Sequence, residues 1–385
     1  MQKMSINIQK RICVYTLACV SFIFGSNVFG AELLQDKTVI MKAKVSEVLS
    51  TEIHTVEGTE VSFVTQYLKV IPTEGEFKGQ LFEIKNDYLP LRVNDVFFLT
   101  QTIEADTGRV VFAVGDVYRV PHMLLFVVLF IVVVIAFGGK QGFRGLMSLI
   151  GSLLIILYVL LPGVLSGASP IWLSIISASI IIVLGSYITH GFNKTTSSAV
   201  IGMIATVLLT GLLAWFAVSF VHLTGFESEE SVYLNFNTGG NIDFAGLLLG
   251  GIIIGLLGVL YDAAIGQAVA VEELYRASEY MSPRRVFLRS LRIGREHIGA
   301  LVNTLAIAYV GASLPLLLLF YGSTLPFLSI LNKEHFVTEI IRTMVGSIGL
   351  VLAVPITSLI AVLMLKSFRG KGDGHGHGHS HSHHH

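Results

Sequence analysis

An aspartate stands in the middle of an apolar run, and it is the residue of this chain best placed to do chemistry. Asp262 lies within residues 244–271, where steps of three and four gather Gly251, Gly255, Gly258, Asp262, Gly266, Val269 and Glu273 on one helical stripe. Glycines let two helices approach closely, and a carboxylate at membrane depth is costly unless it faces protein or water. The stripe therefore reads as a helix-packing seam at Gly251, Gly255, Gly258 and Gly266, lying beside a polar pathway. An acid held by hydrogen bonds for structural reasons is the alternative. Gln267 and Glu273 continue the polarity of this segment, while Asn303 and Thr304 carry it into the next one. An unpaired amide two turns inside a span is unfavourable by about 1–3 kcal/mol, so a partnership between Asn303 and Asp262 is one expectation.

A second chemical feature lies at the C-terminus. His375, His377, His379, His381, His383, His384 and His385 are interleaved with Gly and Ser. Neutral imidazoles on a polar chain bind Zn, Ni or Cu, and such a composition has no capacity for a packed core. A native metal-binding tail and an expression tag are both compatible with the pattern; the Gly/Ser interleaving favours the first.

The elements around these residues are those of a polytopic membrane protein. Hydrophobic residues make up 53% of the chain and charged residues only 14%, with a mean hydropathy of +0.72. Soluble domains carry about one quarter charged residues. Lys+Arg and Asp+Glu balance at 26 each, so net charge points to no nucleic-acid partner. Cys13 and Cys19, the two cysteines, form neither a disulfide framework nor a CxxC motif. Both lie in a leader over residues 1–30. There Lys3, Lys10 and Arg11 precede an apolar run, and Val28-Phe29-Gly30 offers a cleavage site; cleavage and retention as an anchor both remain open.

Residues 31–121 are of another kind. Met41, Ala43 and Val45 alternate with Lys42, Lys44 and Ser46, the period of a half-buried strand. Further strands are expected over 61–71, 80–84, 96–102 and 109–118, separated by turn-forming clusters. Five or so strands in ninety residues imply a small β domain, a barrel or sandwich with an OB-like barrel among the options. Phe63, Tyr67, Phe82, Phe97 and Phe98 are expected as core or sheet-face residues.

Seven apolar segments follow, at 122–137, 145–166, 170–189, 197–222, 244–271, 297–321 and 345–366. They form a transmembrane helical domain over residues 122–370, ahead of the tail over 371–385. Lys140, Arg144, Lys194, Arg276, Arg284, Arg285, Arg289, Arg292, Arg295, Lys366, Arg369 and Lys371 all fall on the side opposite the β domain. The positive-inside rule then places the β domain outside the membrane and the C-terminus in the cytoplasm. Residues 272–296 are expected to lie on the membrane surface as an amphipathic helix pair broken at Pro283, or to be a solvated basic loop.

Residues 257–274 (LGVLYDAAIGQAVAVEEL) and 293–319 (IGREHIGALVNTLAIAYVGASLPLLLL) resemble the signature region of the YibE/F family of bacterial multipass membrane proteins. Asp262, Gln267, Glu273, Gly294, Arg295, Asn303, Thr304, Tyr309 and Pro315 fall on the family's polar and small positions. Gly266 and Val269 depart from the hydroxyl or small polar residues expected after the aspartate. The resemblance implies a multipass architecture and a permease-like role. The chain has no HExxH, GxSxG or Walker A motif, which disfavours an enzyme and a self-contained ATP-driven pump. Two functions follow. The first is a secondary transporter whose Asp262 supports coupling to a small solute or ion, linked to a metal through the tail. The second is a non-transporting scaffold whose exported β domain binds an envelope protein partner. The lipid bilayer is the expected environment, and a homo-oligomer or an envelope protein is the expected protein partner.

Overall fold

The alternation read from Met41 to Ser46 belongs to the central strand of a five-stranded antiparallel sheet. The computed structural model describes residues 37–366 apart from 56–57, 59–61, 105–107 and 278–279. The leader and the histidine tail lie outside the described residues. The strands are β1 (Lys37–Thr55), β2 (Ser62–Pro72), β3 (Phe82–Asn86), β4 (Val96–Ile103) and β5 (Val110–Val117), in the order β3-β2-β1-β4-β5. Met41, Ala43 and Val45 point into the core with Leu68, Val70, Phe97 and Leu99. A bulge at Ser46 shifts the phase, so that Val48 rather than Glu47 continues the inward face. The sheet curls into a half-barrel, bringing the rings of Phe82 on β3 and Phe112 on β5 to 5.1 Å. Of the aromatics singled out above, Phe97 is fully buried and Phe82 packs against the core. Phe98 meets Tyr118 edge-on, and Phe63 and Tyr67 are exposed. Gln66 on β2 ties the sheet to the segment before β4: it receives Leu91 N–H at 2.7 Å and donates to Leu91 O at 3.1 Å. These bonds satisfy an amide that burial would otherwise penalise.

The helices that follow are α1 (Val120–Ile155), α2 (Leu161–Leu165), α3 (Pro170–His190), α4 (Lys194–Val221), α5 (Glu229–Asn237), α6 (Phe244–Arg276), α7 (Pro283–Ala312), α8 (Leu314–Tyr321), α9 (Phe327–Leu331) and α10 (Glu334–Met364). The described residues up to Ala136 group with the sheet as one compact unit, and those from Phe137 form a helical unit. A π-helical turn over Ile156–Leu160 joins α1 to α2. Within α1, Gly139 leaves helical geometry (φ 54°, ψ −135°), a conformation that glycine tolerates. Among the described residues, five helical runs are long and apolar enough to cross a membrane: Val120–Leu165, α3, α4, α6 and α10. A sixth is the α7–α8 pair, bent by 64°. The apolar segments at 122–137 and 145–166 thus fall in one run, divided only at Gly139.

The expected break at Pro283 is present, since α6 ends at Arg276 and α7 starts at Pro283; what differs is that the basic stretch is not a helix pair of its own. Pro283 starts α7, where its missing N–H removes no bond and Ser282 accepts from Arg285 N–H. The helix then continues without a break into the apolar segment.

The helical unit is an up-and-down bundle. α3 and α6 run parallel: Pro170 meets Gly246, Ser174 meets Gly250, and Tyr261 Oη donates to Gly185 O at 3.3 Å. α4 and α10 run antiparallel, with Thr357 against Gly202 and Thr210 against Gly349. The expected glycine seam is therefore displaced. A Cβ added at Gly251, Gly258 or Gly266 would meet nothing within 4 Å, and one at Gly255 would meet only Tyr309. Close packing falls on Gly250, Gly246, Gly202, Gly294 and Gly349 instead. The stripe of Gly251, Gly255, Gly258, Asp262, Gly266, Val269 and Glu273 is exposed along its whole length. Periodicity finds a face; which neighbour covers it depends on the whole bundle.

Candidate functional site

Asp262 sits on the exposed stripe of α6, one residue from Tyr261, whose hydroxyl ties α6 to the last turns of α3. The His190 ring, at the end of α3, lies 5.8 Å from the Tyr261 ring. An acid and an imidazole thus both stand beside Tyr261, the one as its neighbour in sequence and the other across its ring. Asn303 and Thr304 are exposed on α7, and Thr304 Oγ1 donates back to Ala300 O at 2.9 Å. Among the described residues no hydrogen bond joins Asp262 to Asn303.

Gln267 is directed elsewhere. It is buried, accepts from Ser358 Oγ at 2.9 Å and packs its amide against Gly294. It ties α6 to α10 and α7 rather than joining Asp262. Glu273 is exposed, whereas its neighbour Glu272 is engaged. Glu272 accepts from Thr195 Oγ1, and from Arg276 Nε and Nη2 at 3.0 and 2.6 Å. That network joins the start of α4 to the end of α6. Tyr275 Oη, donating to Val362 O at 3.1 Å, brings the end of α10 to the same place.

The opposite end of the helical unit is acidic. Glu334 opens α10 and accepts from Thr224 N–H at 2.7 Å, Gly225 N–H at 2.8 Å and the Thr224 hydroxyl. The next residue, His335, places its Nδ1 2.8 Å from Glu227 O. Arg342 pairs with Glu227 at 2.9 Å and with Glu339 at 2.5 Å, each side chain about one-fifth exposed. His335, Glu339 and Arg342 share one face of α10 because they stand four and three residues apart. An apolar segment taken to begin at residue 345 leaves all three in a loop, so hydropathy alone misses them. Their i, i+4, i+7 spacing is the signal in the sequence that finds them.

Between the two ends the bundle core carries buried hydroxyls. Ser177, Thr210, Thr338 and Thr357 are fully buried, and their oxygens have no hydrogen-bond partner among the described residues. Among the same residues no group of three or more His, Cys, Asp or Glu side chains can hold a metal ion.

A search of curated proteins and a search of solved structures each returned no match. The YibE/F-like protein family matches residues 126–367, well over half of the chain and nearly all of its helices. The match contains Asp262, Gln267, Asn303 and the Arg342 cluster alike, and the chain belongs to the YibE/F-like family.

Proposed function

We propose that this protein is a secondary transporter or permease of a bacterial plasma membrane, with the Asp262–His190 neighbourhood as its coupling site. The observation that carries this reading is an acid, Asp262, with an imidazole, His190, beside the ring of its neighbour Tyr261, on helices otherwise apolar enough to span a bilayer. Ionisable groups inside spanning segments mark ion and proton pathways. Proton exchange between a carboxylate and an imidazole is within the ordinary chemistry of both groups.

Seven spans accompany this reading. Val120–Leu165 is 46 residues long, about 69 Å at 1.5 Å per residue, roughly twice the hydrocarbon core. It therefore crosses twice, turning at Gly139, with Lys140 and Arg144 in the first turns of the second crossing. Lys194 and Arg276 gather at one end of the bundle, while Glu227, Glu229, Glu230 and Asp243 gather at the other. The basic end is cytoplasmic under the positive-inside rule, which puts the sheet outside. Cysteines placed at residues 230 and 289 should label from opposite sides; labelling from one side would sink this orientation.

The decisive experiment is flux. The protein in proteoliposomes with a pH-sensitive dye inside should move protons when a gradient of its solute is imposed. A non-transporting scaffold, whose sheet recruits an envelope protein, gives no flux with any solute tested and is the reading that such a result would leave standing.

A further inference from the structure

The first half of α7 carries a basic face with nothing of its own to neutralise it. Arg284, Arg285, Arg289, Arg292 and Arg295 are all exposed, and among the described residues none of their guanidinium groups is paired with a carboxylate. Glu296 is the one acidic residue between Pro283 and Ala312. Arg276 and Arg342 behave otherwise: the first binds Glu272, and the second binds Glu227 and Glu339.

Helical spacing sets this face. At about 100° per residue the arginines fall within an arc of roughly 140°. Val286, Ser290 and Gly294, spaced by four, fall on the opposite side and are buried. Gly294 is pressed against Val354 of α10 and Gln267 of α6. The packed side of α7 is therefore fixed, and the arginines are held outward.

The apolar run begins directly after them. From Ile298 to Tyr321 no residue is charged, and α7 with α8 passes as a run long and apolar enough to cross a membrane. Ile298 stands about 4.5 Å beyond Arg295 and about 9 Å beyond Arg292 at the helical rise. A helix that enters hydrocarbon near Ile298 sets Arg292 and Arg295 at the depth of the lipid headgroups, with Arg289 one turn farther out. Arg284 and Arg285 add charge to the same face.

Charge and position together select the partner. Guanidinium groups grip phosphate oxygens through paired N–H donors. Basic clusters immediately outside a spanning helix attract anionic headgroups. Ile293 is exposed at the same depth, and an apolar side chain there suits the boundary between headgroups and acyl chains. A soluble anion would meet the charge but leave Ile293 in water.

We propose that the arginine face of α7 binds anionic phospholipid, with Arg289, Arg292 and Arg295 on the headgroup phosphates and Ile293 against the adjoining acyl chain. The surface is separate from Asp262 and requires no transport; it requires only that the apolar helices lie in a bilayer.

The full chain, purified in detergent, is melted in mixed micelles that contain phosphatidylglycerol or phosphatidylcholine at equal mole fraction. A third sample receives free glycerol 1-phosphate at the same concentration. A ligand that binds only the folded state raises Tm with concentration. Phosphatidylglycerol should raise Tm by a few degrees more than phosphatidylcholine, and free glycerol 1-phosphate should not raise it. The triple variant Arg289→Gln, Arg292→Gln, Arg295→Gln removes side chains that pair with no carboxylate among the described residues. It should fold as wild type and lose at least half of the advantage of phosphatidylglycerol. Arg289→Lys, Arg292→Lys and Arg295→Lys together keep the charge and should keep most of that advantage. Equal shifts with the two lipids, an equal shift with glycerol 1-phosphate, or an undiminished advantage in the Gln variant would each overturn the assignment.

Discussion

Thr357 on α10 sits over Gly202 on α4, so that its Cα and side chain fill the space a Cβ at residue 202 would need. Eight residues away along each helix the roles reverse, and Thr210 on α4 sits over Gly349 on α10. The two contacts fix the antiparallel register of the pair. Both threonine hydroxyls are buried and unpartnered among the described residues, so the pairing owes its stability to close packing and not to a bond between the side chains.

Gly202→Val should therefore destabilise the bundle by about 1–3 kcal/mol, because overpacking forces the helices apart. Gly258→Ala is the matched control on α6. A Cβ there meets nothing within 4 Å, and alanine favours a helix over glycine by up to about 1 kcal/mol. Thermal unfolding in detergent reads both. Equal melting of wild type and Gly202→Val would show that α4 and α10 do not pack in this register.

Arg342 holds two carboxylates at once, Glu227 from the loop before α5 and Glu339 from its own helix. Arg342→Leu leaves these acids partly buried without their cation. That change costs about 3–5 kcal/mol for buried pairs and less here, where each side chain is about one-fifth exposed. Glu227→Leu in the same chain should return part of the loss, since the partner left unpaired is then gone. A double-mutant cycle on Tm checks this. Strict additivity would mean that the 2.9 Å pair contributes nothing to the fold.

The β strands were legible because Met41, Ala43 and Val45 alternate with polar residues, and a sheet with one buried face must print that period in its sequence. The presence of long apolar helices and the family were legible for similar reasons: apolar runs and the order of residues around Asp262 are local. The packing was not. Gly250 and Gly251 are adjacent, and nothing in the local sequence says that Gly250 meets Ser174 while Gly251 opens on a cavity. The same one-residue ambiguity separates Glu273, which is exposed, from Glu272, which binds Thr195 and Arg276. The start of the last helix was hidden too. α10 begins at Glu334 and so carries Glu339 and Arg342 on an element long and apolar enough to span a membrane, and a run with three charges in its first nine residues does not announce itself by hydropathy.

The histidine tail is testable apart from the fold. Truncation after Gly374 should remove Zn or Ni binding in the micromolar range while leaving Tm unchanged. Binding should weaken as pH falls through about 6.5, since a protonated imidazole cannot ligate a metal. Isothermal titration of both proteins measures this. Undiminished metal binding by the truncated chain would place the ligands elsewhere.

Asp262 is the residue on which the transport reading stands or falls. Asp262→Asn keeps the size and the hydrogen-bonding capacity of the side chain but removes its exchangeable proton; Asp262→Ala removes both. A coupling role requires that each variant inserts, melts within a few degrees of wild type and shows no solute-driven proton movement. His190→Gln should resemble Asp262→Asn, because the coupling site proposed above includes both groups beside Tyr261. A structural role gives another ranking: Asn tolerated, and Ala destabilising by about 1–3 kcal/mol through a partner left unpaired. Asp262 is exposed on α6 and has no hydrogen bond to Asn303 among the described residues, so Asn303→Ala should combine additively with Asp262→Ala in Tm. A non-additive loss would mean that the two side chains are partners in the working protein. Wild-type flux from Asp262→Asn would end the coupling hypothesis, because that site would then hold no proton to exchange.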